Sequence, residues 1–308
     1  MPPVAARAAG WADGCAQVCA GRMLACSRTG AMPRPLHPHG PLCMTRPLPP
    51  AIVACRMQSH RNAVPPAIET LDIAEETPVS LTFNTMPHGV MMATPLDLED
   101  FVTGFALTEG IVPDASALKG MTVRVEAEHI QVDARIDGPS FQRLLQRGRR
   151  AIAGRTSCGV CGTDASDVLQ RPTPRVPCAP PELAAVHAAL GRLRGRQVLN
   201  ARAHMLHAAA WCAPDGEIVH VREDVGRHNA LDKLIGAGVR ADTDFGCGFC
   251  LITSRCSYEM AHKAIMAGMP ALAAISAPTA RAIRVAARSG LTLLAPVREK
   301  VVMAPLSV

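Results

Sequence analysis

The stretch Gly248-Phe249-Cys250-Leu251-Ile252-Thr253-Ser254-Arg255-Cys256-Ser257-Tyr258-Glu259-Met260 decides how this chain folds. Its first half, 248–253, is a short apolar run that reads as a strand. Its second half opens an amphipathic segment, 257–267, with a serine placed where a helix N-cap belongs. The pattern repeats downstream as strand 271–276, helix 279–288 and strand 291–295. Upstream, segments 205–212 and 217–221 flank the turn Asp215-Gly216 and predict a hairpin, followed by a helix over 226–235. Strand alternating with helix at this spacing predicts an α/β fold, a largely parallel sheet covered on both faces. Such a sheet takes its ligands beyond the carboxyl ends of its strands.

The rest of the chain is less regular. Residues 1–60 hold six arginines, nine prolines and one acid, Asp13, with no sustained period, so 1–62 is assigned as a disordered or spurious extension and its cysteines are set aside. Order is expected from about Ala67, in a smaller β-rich subdomain over 63–150. It would contain strands at 78–85 and 90–94 and a helix over 96–109, with Leu98, Phe101, Val102, Phe105 and Ala106 on one face and Gly110 as its stop. A strand pair at 121–125 and 130–136 and a short helix at 140–146 complete it. A loop, 151–180, leads to the α/β subdomain, 181–308, which begins with a helix over 181–193.

Composition narrows the function. The 308 residues are 48% hydrophobic, enough for a substantial core, and no run reaches the length of a membrane span, which points to a cytoplasmic protein. The net charge is +6, and lysine occurs only at 119, 233, 263 and 300. The excess is therefore arginine, whose planar fork suits phosphate. With 3% aromatic residues the chain lacks stacking platforms for single-stranded nucleic acid.

Three predicted helices start directly after strands, at Gly226-Arg227-His228-Asn229, Ser254-Arg255-Cys256-Ser257 and Ser276-Ala277-Pro278-Thr279, so their N-termini should gather on one edge. Free N–H groups and the helix dipole there favour an anion, with Arg227, His228 and Arg255 beside them. Taken singly, Ser and Thr at these places are ordinary N-caps. Asp224, next to Glu223, either satisfies a helix dipole or accepts hydrogen bonds from a base edge such as guanine.

Arg155-Thr156-Ser157-Cys158-Gly159-Val160-Cys161-Gly162 carries two thiols in a glycine-bearing loop among basic residues, where a thiolate is stabilised and reachable. A structural zinc site would need a second pair, and Cys247 with Cys250 read better as buried free cysteines. A thiol-disulfide oxidoreductase would place its pair at a helix start. A zinc deaminase would need a His-x-Glu and a Pro-Cys-x-x-Cys that are absent. A sulfur carrier needs only a mobile, exposed thiol of low pKa and a second thiol to help release the sulfur.

Over 67–308 the chain resembles the FdhD family of formate dehydrogenase accessory sulfurtransferases. The resemblance rests on the loop just quoted, on Arg222-Glu223-Asp224-Val225-Gly226-Arg227-His228-Asn229-Ala230-Leu231-Asp232-Lys233, and on Ser254–Met260 with Ile275–Thr279 following. It implies a cytidine-deaminase-like mixed sheet flanked by helices, without the catalytic zinc, and a mobile Cys-x-x-Cys loop. It also implies a sulfur carrier that receives persulfide sulfur from a cysteine desulfurase on Cys158, assisted by Cys161. That carrier passes the sulfur to the molybdenum cofactor, Mo-bis-molybdopterin guanine dinucleotide, bound as cargo before insertion into formate dehydrogenase. The cofactor-binding set carried over is Asp224, Arg227, His228, Asn229, Arg255, Ser257, Ser276, Thr279, His207, Arg298 and Lys300, with no metal ligand. Where the family has Thr-Gly-Gly-x-His-x-Ala this chain reads Ala203-His204-Met205-Leu206-His207-Ala208-Ala209, which keeps the histidine and loses the glycines. A homodimer fits a partner-facing loop. The competing function is a nucleotide-binding chaperone that only shelters the cofactor.

Overall fold

Alternating apolar residues in the first half of the chain build a sheet with one buried face. The computed structural model describes residues 42–62, 64–146, 174–176, 180–297 and 300–304. Its first elements are β1 (Leu42–Met44), β2 (Ile52–Arg61), β3 (Val64–Ala74), β4 (Thr77–Phe83), β5 (Met86–Ala93), α1 (Leu98–Thr108), β6 (Leu118–Val125), β7 (Ile130–Ile136) and α2 (Gly138–Gln146). Strands order as β1-β6-β7-β4-β5, while β2 and β3 pair only with each other. Val79, Leu81 and Phe83 on β4 and Ile130, Val132 and Ala134 on β7 point to one side, as a period of two requires, and bury against Leu98, Phe101, Val102 and Phe105 of α1.

Leu42–Met44 and Ile52–Arg61 form strands ahead of Ala67, so the assignment of all of 1–62 to a disordered extension is corrected for the described residues 42–62. β1 adds to the edge of β6 through main-chain pairing, Leu42 opposite Met121 to Met44 opposite Val123. β2 and β3 form a ribbon with Ser59 Oγ donating to Glu69 at 2.7 Å. Backbone bonds and exposed cross-strand pairs hold these strands, so the core-facing period that marks a strand in sequence is missing.

The second half supplies α3 (Leu183–Arg196), α4 (Asn200–Ala203), β8 (His207–Cys212), β9 (Ile218–Asp224), α5 (Arg227–Arg240), β10 (Phe249–Arg255), α6 (Tyr258–Met266), β11 (Ala271–Ser276), α7 (Ala280–Ser289), β12 (Thr292–Val297) and β13 (Lys300–Ala304). The sheet order is β13-β12-β11-β10-β8-β9. It is mixed: β10, β11 and β12 are parallel, while β8 and β13 run the other way. β13 has no counterpart among the strands expected from the sequence, which end at 291–295; it begins at Lys300, one of the residues carried over from the resemblance.

Both faces are covered. Trp211, Cys250, Ile252, Leu272 and Leu293 face α5, α6 and α7, and Phe249, Leu251, Ala273 and Leu294 face α3. The two halves meet where α1 crosses α5. Gly104 faces the main chain of Asp232 and Gly236 faces that of Asp100, so closely that a Cβ on either glycine would enter the other helix's carbonyl group. No helix among the described residues is long and apolar enough to cross a membrane.

Candidate functional site at the carboxyl edge of the second sheet

The strand directions put the predicted helix starts together. β8 is antiparallel to both β9 and β10, and β10 is parallel to β11, so β9, β10 and β11 point the same way. Their last residues, Asp224, Arg255 and Ser276, share one edge with the starts of α5, α6 and α7. His207 opens β8 on that same edge, opposite Asp224 in the register. The main-chain N–H of Thr279 donates to the Cys256 carbonyl at 3.0 Å and ties the α7 start to the α6 start.

Arg255 is exposed, and Arg227, Ser257 and Ser276 are half-buried. Thr279 behaves as an ordinary cap, its hydroxyl accepting from the Ala282 N–H at 3.2 Å. Ser257 does not: it stands at the N-cap of α6 without a side-chain cap bond, and its occluded hydroxyl bonds to no described residue. Burial, then the neighbouring Arg227, push His207 below the usual histidine range against the opposing pull of Asp224, so the imidazole is neutral at neutral pH.

Three members of the expected set face inward. His228 and Asn229 are buried, and Asp224 has no exposed surface. Oδ1 of Asp224 accepts from the Gly226 N–H at 2.8 Å and from Asn229 Nδ2 at 3.0 Å. Oδ2 accepts from the Thr94 N–H at 3.0 Å and lies 2.6 Å from Lys233 Nζ. Both oxygens are committed, so the expectation that Asp224 offers itself to a guanine edge is corrected: it clamps the α5 start to the first sheet. Asn229 shares that work by donating to the Met92 carbonyl at 2.7 Å. Glu223 likewise accepts from the main-chain N–H groups of Leu199 and Asn200, at 2.8 and 2.9 Å, and fixes the start of α4.

Cys158, Cys161 and Arg298 lie outside the described residues, and Lys300 is described only as the first residue of β13. Among the described cysteines, burial pushes Cys212 and Cys256 up to about 12 and Cys250 well above its ordinary value, which leaves them neutral thiols rather than sulfur nucleophiles. Cys247 is exposed rather than buried, because it precedes β10 in the loop at Gly248. One exposed and one buried thiol do not make a zinc pair.

The sequence reading missed a second buried ion pair. Lys263 Nζ lies 2.8 Å from Asp232 Oδ2, donates to the Thr108 hydroxyl at 2.9 Å and sits 5.5 Å from the centre of the Phe105 ring. Burial alone would lower its pKa, but Asp232 and Glu109 outweigh burial and hold it above the usual lysine value. The available signal was two of only four lysines falling on the buried faces of amphipathic helices.

The model of the FdhD/NarQ family matches residues 74–304. The chain belongs to the FdhD/NarQ family. Two relatives in the FdhD line are close. Identity is 46% over 228 residues to the sulfur carrier protein FdhD of Cupriavidus necator, covering 74% of this chain and 79% of that one. It is 43% over 256 residues to the sulfur carrier protein FdhD of Xanthomonas euvesicatoria pv. vesicatoria, covering 83% and 90%. The fold matches a formate dehydrogenase accessory protein from Desulfotalea psychrophila, with a TM-score of 0.64 at 22% identity over 83% of this chain and 99% of that one. His204, where the pattern implied by the resemblance calls for glycine, has a left-handed backbone, φ 57°.

Proposed function

We propose that this FdhD/NarQ protein is a sulfur carrier that moves persulfide sulfur from a cysteine desulfurase to the molybdenum cofactor, Mo-bis-molybdopterin guanine dinucleotide, for formate dehydrogenase. The observation that carries this reading is the family match over 74–304 with relatives named sulfur carriers at 43% and 46% identity. The basic edge with three helix starts supports it, because the cargo is a multiply phosphorylated anion. The mixed sheet with helices on both faces supports the cytidine-deaminase-like reading of the fold.

In this proposal the Cys158 thiolate attacks the terminal sulfur of the donor persulfide. The donor sulfur–sulfur bond breaks, the donor thiolate leaves, and Cys158 carries the persulfide. Attack of the Cys161 thiolate on Cys158 Sγ forms a disulfide and releases the terminal atom as sulfide to the metal centre. A cellular thiol reductant then resets the pair. Arg227, Arg255 and Ser257 hold cargo phosphates, and neutral His207 offers a hydrogen bond without adding charge. A homodimer belongs to the same reading and is checked by light scattering.

The test is incubation with a desulfurase and cysteine followed by mass spectrometry. A gain of one sulfur atom, about 32 Da, on the peptide containing Cys158 is expected. Restoration of formate dehydrogenase by a Cys158→Ala variant would instead leave the chain as a shelter for the cofactor.

A further inference from the structure

The outward face of α7 carries positive charge that no described residue answers. Arg281, Arg284 and Arg288 recur at spacings of three and four, so they share one side of the helix, and all three are exposed, while Ala282 and Ala286 turn to the core. The stripe runs roughly 10 Å along the helix axis. From Cys247 to Val297 the sequence holds a single acid, Glu259, and no ion pair joins it or any of the three arginines to a described residue. This arrangement works against the free helix. Arg281 lies in the first turn, at the positive end of the dipole, and both Arg281 with Arg284 and Arg284 with Arg288 are like-charge neighbours. Only Arg288, in the last turn, suits the dipole. The guanidinium of Arg281 is fixed 4.8 Å from the centre of the Tyr258 ring at the start of α6. Because α7 starts on the edge that carries Arg255 and Ser257, the stripe begins at the candidate site and leads away from it across the surface.

We propose that the arginine face of α7 is the docking surface for an acidic face of the protein that receives the cargo, the cofactor-free form of formate dehydrogenase. The proposal rests on the sulfur-carrier reading, which requires a recipient to come up to the carboxyl edge of the second sheet, and α7 flanks that edge. A second copy of this chain meeting the stripe across a two-fold axis would bring the same three cations, on a chain of net charge +6, to the contact, so charge disfavours it. An acidic partner neutralises all three arginines at once and removes their mutual repulsion. Complementary charge of this kind speeds encounter and sets the register of the two proteins, which is what delivery through one edge needs.

Binding of the full-length protein to immobilised cofactor-free formate dehydrogenase is followed by surface plasmon resonance at low and high salt. The wild type is compared with a triple variant, Arg281→Gln with Arg284→Gln and Arg288→Gln, and with Arg284→Gln alone. The triple variant should bind about tenfold more weakly at low salt, mainly through a slower on-rate, and its affinity should depend less on salt. Arg284→Gln removes both like-charge pairs and leaves the Tyr258 contact, so it should slow association while its urea midpoint holds or rises. It carries the test if the triple variant does not fold. A lower midpoint with unchanged association would mean that the arginines serve the fold, and it overturns the proposal. Unchanged affinity and salt dependence in the triple variant, or no binding by the wild type, overturn it as well. So does a triple variant that keeps the enzyme but loses GDP, which would give the stripe to the cargo, or one that keeps the enzyme but loses phosphatidylserine vesicles, which would give it to a membrane. Sulfur gain on Cys158, measured on the same samples, reports the carrier function separately.

Discussion

Asp224 shows how burial decides a residue's role. Its carboxylate and the Lys233 ammonium are both fully buried and 2.6 Å apart, with main-chain donors filling the remaining valences. Asp224→Ala would leave the ammonium buried without its counter-charge. The expected loss is about 3–5 kcal/mol of stability in urea unfolding, and a loss under 1 kcal/mol would deny the clamp. The described thiols make a second residue-level prediction. Native protein at pH 8 should take up iodoacetamide at Cys247 and not at Cys212, Cys250 or Cys256. Because folded Cys212 and Cys256 titrate near 12 against an ordinary value of 9.0, their contribution is complete below pH 9 and is lost as pH rises toward 12. Lys263, held above its ordinary 10.5, adds to that alkaline loss, and unfolding midpoints should hold from pH 8 to about 9 and fall from there to pH 11.

Helix starts and crossings are the elements that matter. Thr279 caps α7, so Thr279→Ala should cost about 1 kcal/mol. Ser257 makes no cap bond, so Ser257→Ala should leave the unfolding midpoint nearly unchanged and weaken pyrophosphate binding at the edge. Equal stability losses for the two would mean that both are simple caps. Where α1 crosses α5, Gly236→Ala must push the helices apart at Asp100, and a loss of about 1–3 kcal/mol is expected. An unchanged unfolding midpoint would mean the helices part freely.

At the scale of the molecule, that crossing joins two sheets. Asp100 of α1 pairs with Arg222 of β9 and Arg240 of α5, and Lys263 of α6 reaches back to Thr108 of α1. The layers run from the first sheet through α1, then α5 to α7, to the second sheet and α3. Such a shared interior should melt as one unit. In a Trp11→Phe variant, where Trp211 is the one tryptophan left, its fluorescence reports the second sheet and should give a urea transition coincident with far-ultraviolet circular dichroism; two separated transitions would refute a common core.

The sequence by itself determined the elements that face a core. The alternation of 248–295 and the amphipathic stripe of Leu98, Phe101, Val102 and Phe105 fixed strands and helices, since burying an apolar stripe leaves one period to choose from. It also showed which residues stand at the helix starts, because each start directly follows a strand. Tertiary structure alone decided that β8 pairs antiparallel with β10, that β1 to β3 form without a core face, and that Asp224, His228 and Asn229 turn inward. A carboxylate beside a helix start reads the same in sequence whether water or Lys233 lies next to it. The partner comes from elsewhere in the fold.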